Sequence, residues 1–243
     1  AVNPKLPLAF TNLGILYSIK LRSMVDHGQP GAPLAAQGRQ HLLHSLELEP
    51  NMPLQMHYLA EIAVLEATQA LQTGADPTPA LAEARRWVSK VQPLSDAFAL
   101  FKLAQIELIA ARELKRQNRP PWESLKKAQQ SIQPILEAEF NEIESLLTAV
   151  EISLYEAEWK QTETAQIKNI LAEGVKRAKA ALACSVDHPR ALALNGALLH
   201  LQAKTETDPL RAGQIQGESQ ATLQRAFQLN PLLKSEFGGY LPQ

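Results

Sequence analysis

Apolar positions along this chain recur with the period of amphipathic helices, in stretches bracketed by prolines. Proline is excluded from helix interiors but fits the first turn or lies just past the end. The sixteen prolines therefore mark boundaries, and the intervals predict helices over 8–26, 34–48, 54–72, 79–92, 94–117, 121–133, 190–204 and 209–229. The proline-free run 135–188 is too long for one ordinary helix. Its polar stretch Lys160-Gln161-Thr162-Glu163-Thr164 is the expected break, which makes ten helices in five pairs. Few runs show the alternation that strands require.

Five helical stretches close on nearly the same tag. These are Ser45-Leu46-Glu47-Leu48-Glu49-Pro50, Val88-Ser89-Lys90-Val91-Gln92-Pro93, Gln129-Gln130-Ser131-Ile132-Gln133-Pro134, Cys184-Ser185-Val186-Asp187-His188-Pro189 and Ala226-Phe227-Gln228-Leu229-Asn230-Pro231. Their prolines fall 43, 41, 55 and 42 residues apart, a period that predicts helical hairpins stacked as an α-solenoid. Asp76-Pro77 and Asp208-Pro209 read as an N-cap followed by a first-turn proline, opening the second helix of a pair; His27-Gly28-Gln29-Pro30-Gly31 is a looser form. In the first helices, the small residues Gly14, Ala60, Ala104 and Gly196 are each followed seven positions later by Leu21, Ala67, Ala111 or Ala203 on the same face. In the fourth repeat Ala149 leads to Glu156, with Ala157 one place further, which leaves its register open by one residue.

These positions resemble the tetratricopeptide repeat family. Asn12-Leu13-Gly14 with Tyr17 looks like the start of that family's first helix, and Ser219, Leu223, Ala226, Phe227, Leu229 and Pro231 look like its second-helix pattern. Ser45-Leu46, Leu48 and Pro50 match the end of that pattern; Val88, Gln129 and Cys184 stand where Ala is usual. Each helix is about one or two turns longer than the family norm. The resemblance covers roughly 8–235. It implies an all-α, right-handed superhelix of about five extended hairpins, with repeats at roughly 8–50, 53–93, 94–134, 135–189 and 190–231 and a cap at 232–243. Long repeats with a Gly-x-Asp-Pro turn are also similar to the C-terminal regions of bacterial, eukaryotic-like serine/threonine protein kinases. That likeness implies a regulatory or docking region whose partner is a kinase domain of the same polypeptide. The kinase motifs themselves (Gly-rich loop, His-Arg-Asp, Asp-Phe-Gly) do not occur.

Composition narrows the chemistry. Lys plus Arg, 24, nearly cancels Asp plus Glu, 25, so there is no overall basic footprint for nucleic acid. No apolar run approaches the roughly 18 residues of a membrane span. Cys184 is the only cysteine, which excludes an internal disulfide and fits a reducing, cytoplasmic setting; it is expected to be a buried, inert thiol at the small position of a second helix. The start, Ala-Val-Asn-Pro-Lys, has neither a signal-peptide core nor an initiator Met, as expected of a piece cut from a longer protein. His41 and His44 have a spacing that could hold a metal but no third ligand, so neither metal nor cofactor is expected. Glu137/Glu139 and Glu142/Glu144 read as a solvated face, not an acid–base pair, and catalysis is not expected. The basic run Arg112–Arg119 reads either as a contact for an acidic partner or phosphate or as a complement to the helix dipole.

The inner strip, counted from each small residue, should carry Thr11, Ile15 and Ser18; His57, Glu61 and Val64; Phe101, Gln105 and Leu108; Leu146, Val150 and Ser153; and Ala193, Ala197 and His200. A slip of one in the fourth repeat would substitute Leu147, Glu151 and Leu154. Val64, Phe98, Phe101, Leu108, Leu146 and Val150 make its middle apolar, which suits a helical or apolar peptide of another protein. The competing reading is that the long helices close up and these side chains pack on each other. The Lys/Asn carboxylate clamp found in some family members is not expected, since Thr11, Ile15, His57 and Glu61 hold the inner positions. A second expectation is self-association through an exposed end at Leu232, Leu233 and Phe237.

Overall fold

The structure, a computed structural model, describes residues 6–91, 96–138, 143–159 and 164–241. Among them are eleven helices and no strand: α1 Pro7–Asp26, α2 Ala32–Leu48, α3 Pro53–Thr73, α4 Thr78–Val91, α5 Asp96–Arg116, α6 Trp122–Glu137, α7 Ile143–Trp159, α8 Thr164–Cys184, α9 Pro189–Thr205, α10 Pro209–Leu229 and α11 Leu233–Phe237, then a 3₁₀ turn Gly238–Tyr240. The first ten agree in number and order with the ten expected, although α6 runs past its expected end. Gln92 and Pro93, residues 160–163, Glu139 and Glu142 lie outside the described residues. Contacts divide the chain into two compact units, Ala1–Ser131 and Ile132–Gln243.

Within the first unit α1 pairs with α2 and α3 with α4, while α1, α3 and α5 pack side by side as a layer of first helices. The turns between paired helices repeat. Gly28, Gly74 and Asn118 all have positive φ, and each is followed by a residue whose N–H reaches back to Met24 O, Ala70 O or Leu114 O at 2.8 Å. This left-handed stop satisfies the last carbonyls of a helix and needs Gly or Asn. Three residues on, Gly31, Pro77 and Pro121 are buried and their carbonyls accept the first bonds of α2, α4 and α6. Asp76 Oδ1 accepts from Thr78 N at 2.9 Å, and Asp208 caps α10 by accepting from Leu210 N at 3.0 Å. Both Asp-Pro turns thus open second helices.

Small residues set the packing. A Cβ added at Gly14 would lie 2.4 Å from Leu42 Cγ; one at Gly196 would lie 2.6 Å from Leu223 Cγ. The paired helices therefore approach more closely there than any larger residue would allow. Gly38 similarly nests against Tyr17 of its own pair and Ile62 of the next, and Gly174 against Ser153 and Leu198. These parallels fix a register that the proline tags do not. The buried small positions of the second helices are Gly38, Ala84, Ala128, Gly174 and Ser219, spaced 46, 44, 46 and 45 residues apart.

The open register of the fourth repeat is resolved, and three expectations are corrected. Because Ser153 meets Gly174 as Tyr17 meets Gly38, the fourth-repeat counterpart of Gly14 is Val150, not Ala149. The inward position of α8 is held by Ala181, which is buried, and Cys184 at the end of α8 is exposed. Val91 and Ile135 occupy the corresponding places in α4 and α6, not Val88 and Gln129. Finally, α6 runs through Pro134 to Glu137. A proline in the last turn forgoes one backbone bond, and continuing the helix buries Ile135 beside the already buried Ile132.

Candidate functional site

In the first unit, the predicted inner strip is a packed polar and apolar interior. Thr11 is buried in a knot where its hydroxyl lies 2.8 Å from Ser45 Oγ, and Gln55 Nε2 donates to both oxygens. Ile15 is half-buried, Val64 and Leu108 are buried. Glu61, only 4% exposed, accepts from Lys102 of α5 and Arg22 of α1. Lys102, 2% exposed, also donates to Gln105 Oε1 at 2.8 Å and lies 4.8 Å from the Phe101 ring and 5.9 Å from that of Phe98. The half-buried Phe98, Phe101 and Gln105 thus wrap a buried ion pair that joins three first helices.

The electrostatics follow from that arrangement. Burial alone would raise the Glu61 carboxyl, but Lys102 and Arg22 outweigh it and hold it at about 2. His57, half-buried beside Phe98 and Tyr58, is pushed down to about 3 by burial first and the Lys102 charge second, so its ring is neutral at pH 7. Near neutral pH the cluster therefore holds Glu61 ionised between two cations and His57 neutral.

In the second unit the first-helix face is occupied. Leu146 and Val150 are buried, as are Leu147, Glu151 and Leu154, the residues of the shifted register. Arg190, near the start of α9, reaches Glu151 of α7 at 2.9 Å and Glu236 of α11 at 3.2 Å, with its guanidinium 5.8 Å from the Phe237 ring. Burial opposes that charge, but the two carboxylates prevail and raise the Arg190 pKa. Tyr240 donates to Glu158 near the end of α7, and its ring meets His200 of α9 edge-on at 5.8 Å. Burial and the neighbouring Glu158 carboxylate push the Tyr240 hydroxyl well above its ordinary value. Leu233 and Phe237 are buried, so two of the three residues expected to form an exposed self-association end point inward; Leu232 alone is exposed. Residues 232–241 therefore lie against α9 and α10 and reach α7 through Arg190 and Tyr240.

Of this cluster (Glu151, Glu158, Arg190, Glu236 and Tyr240), only Glu151 was among the expected inner-strip residues. The signal that could have found the cluster is Leu233 and Phe237 one helical turn apart, directly after Pro231.

The remaining candidates make contacts within the chain. His41 and His44 join an aromatic group with Phe10 and Tyr17, and His44 Nδ1 lies 3.1 Å from Glu47. Among the described residues no group of three His, Cys, Asp or Glu is placed to hold a metal. In the basic run, Arg116 pairs with Glu113 at 2.7 Å and donates to Gly74 O at 3.1 Å, tying α5 to the α3–α4 turn. A shallow cleft at Arg39, Ala82, Glu83 and Arg86 is internally compensated, with Arg39 between Glu66 and Glu83. Among the described residues no helix is long and apolar enough to cross a membrane. Compared with known protein families, curated proteins and solved structures, the chain matches none of them.

Proposed function

We propose that this chain is a non-catalytic protein-interaction scaffold, five extended tetratricopeptide-like hairpins wound as a right-handed superhelix, that takes a short amphipathic helical segment of a partner on its first-helix face. The observation that carries the reading is the seat of residues 232–241 in the second unit. There a short helix places two apolar anchors, Leu233 and Phe237, inward, while Glu236 and Tyr240 engage Arg190 and Glu158. A helix laid on a helical face through anchors one turn apart is a general mode of peptide recognition. The chain thus carries a worked example of the ligand chemistry its face accepts. In the setting implied by the kinase resemblance, the partner is a kinase domain of the same polypeptide and the compartment is the cytoplasm.

The test uses a chain ending at Pro231 and a labelled peptide of residues 232–243. The shortened chain should bind the peptide at least tenfold more tightly than the full chain, whose face is already filled, and should keep its helical circular dichroism. Equal binding by both chains, or none by a well-folded shortened chain, would overturn the reading.

A further inference from the structure

We propose that the outer flank of α1 is a docking edge for a helix of a partner protein, one that carries a small-x3-large-x2-small stripe with an acidic residue next to the first small position. This site is separate from the face that holds residues 232–241 and stands or falls independently of it.

The repeat register reveals the flank. In every first helix the positions two and five after the small residue are apolar: Leu16 and Ile19, Ile62 and Leu65, Ile106 and Ile109, Ile152 and Tyr155, Leu198 and Leu201. In α3, α5 and α9 the preceding second helix packs on this side, and Ile62, Ile106 and Leu198 are completely buried. The contact is close: a Cβ on Gly38 of α2 would lie 3.0 Å from Ile62 Cδ1, and one on Gly174 of α8 would lie 3.0 Å from Leu198 Cδ1. On α1 the same two positions are open, Leu16 at 62% and Ile19 at 58%, with Leu8 exposed on the same side. The flank continues an interface used repeatedly inside the chain.

Charge specifies the partner further. The residue after the small position of α2 is Arg39, and it pairs with Glu66, six positions after Ala60 in α3. The equivalent of Glu66 on α1 is the exposed Lys20. The sign is reversed, so the matching helix carries Asp or Glu where α2 has Arg. A second copy of this chain has no such helix to offer. Its small positions Gly38, Ala84, Ala128, Gly174 and Ser219 are all buried within their own chain.

The probe is a labelled peptide of residues 32–50, which carries the α2 stripe, together with its Arg39→Glu form. Fluorescence anisotropy with the full chain should show saturable one-to-one binding, with the Arg39→Glu peptide about two- to fivefold tighter at low salt. Lys20→Glu in the protein should reverse that order. Leu16→Glu/Ile19→Glu should weaken both peptides at least tenfold, with the circular dichroism and unfolding midpoint unchanged because both side chains are exposed. Absence of saturable binding, or affinities indifferent to the double variant, would overturn the proposal. So would a dimer in sedimentation that the double variant dissolves, because a second copy would then cover the flank.

Discussion

Replacing Glu61 by Gln keeps the shape of the side chain and removes the negative charge that Lys102 and Arg22 surround. The carboxyl titrates at about 2 in the folded chain against an ordinary 4.5. At about 1.4 kcal/mol per pH unit, that difference stabilises the fold by about 3 kcal/mol once both states are ionised. The sign follows from the lowered folded value: the contribution is fully present above pH 4.5 and is lost as pH falls toward 2. Glu61→Gln should therefore be less stable than the parent by about 3 kcal/mol at pH 7, and the gap should narrow by about 2 kcal/mol at pH 3, where the parent's unfolded state takes up the proton. The assay is urea unfolding at both pH values, followed by the fluorescence of Trp87, which is buried in the same unit. A gap that stays constant from pH 7 to pH 3 would refute the charge argument and make the loss one of packing. A gap below about 1 kcal/mol at pH 7 would mean that Lys102 and Arg22 do not hold the carboxylate ionised.

His57 acts in the same direction over a wider window. Its folded value of about 3 lies below the ordinary 6.5, so the unfolded chain gains a proton first and stability falls as pH drops from 6.5 toward 3; His57→Leu should flatten that slope in the same unfolding experiment. Gly213→Ala and Gly217→Ala in α10 meet open space and should each raise stability by about 0.5–1 kcal/mol, read as a higher thermal midpoint. Gly14→Ala gains the same propensity but drives a Cβ into Leu42, and should be net destabilising by about 1 kcal/mol. Cys184 should react stoichiometrically with a thiol reagent in the native protein; reaction only after unfolding would contradict its exposed position at the end of α8.

How much was legible in the sequence depended on what each residue does physically. Prolines act on the backbone wherever a helix cannot continue, so they marked most helix boundaries, and the polar stretch at 160–164 marked another; they do not measure packing. Pro134 lies inside α6, and the linkers around Pro50 and Pro189 differ in length, so the proline intervals scatter while the buried small positions recur almost evenly. Gly28, Gly74 and Asn118 carry the same period, because a left-handed stop tolerates few residues, and they would have given the register directly. The polar interior was harder to read. Glu61 was placed on the inner strip but without a partner, because Lys102 drew no expectation, although Ala99, Lys102 and Ile106 keep a buried-face spacing that puts the lysine inside. The occupied face of the second unit involves residues from α7, α9 and α11, far apart in the chain, and only folding brings Arg190 to both Glu151 and Glu236.

The most direct test of the scaffold reading is the rank order of affinities for variants of the 232–243 peptide on the chain ending at Pro231. Phe237→Ala removes the buried anchor and should cost at least tenfold, Glu236→Lys should weaken binding severalfold and more so at low salt, and Leu232→Ala, at an exposed position, should change it by less than about twofold. Affinities that do not distinguish Phe237→Ala from Leu232→Ala, or a scrambled peptide that binds equally well, would contradict a face built to recognise a helical segment.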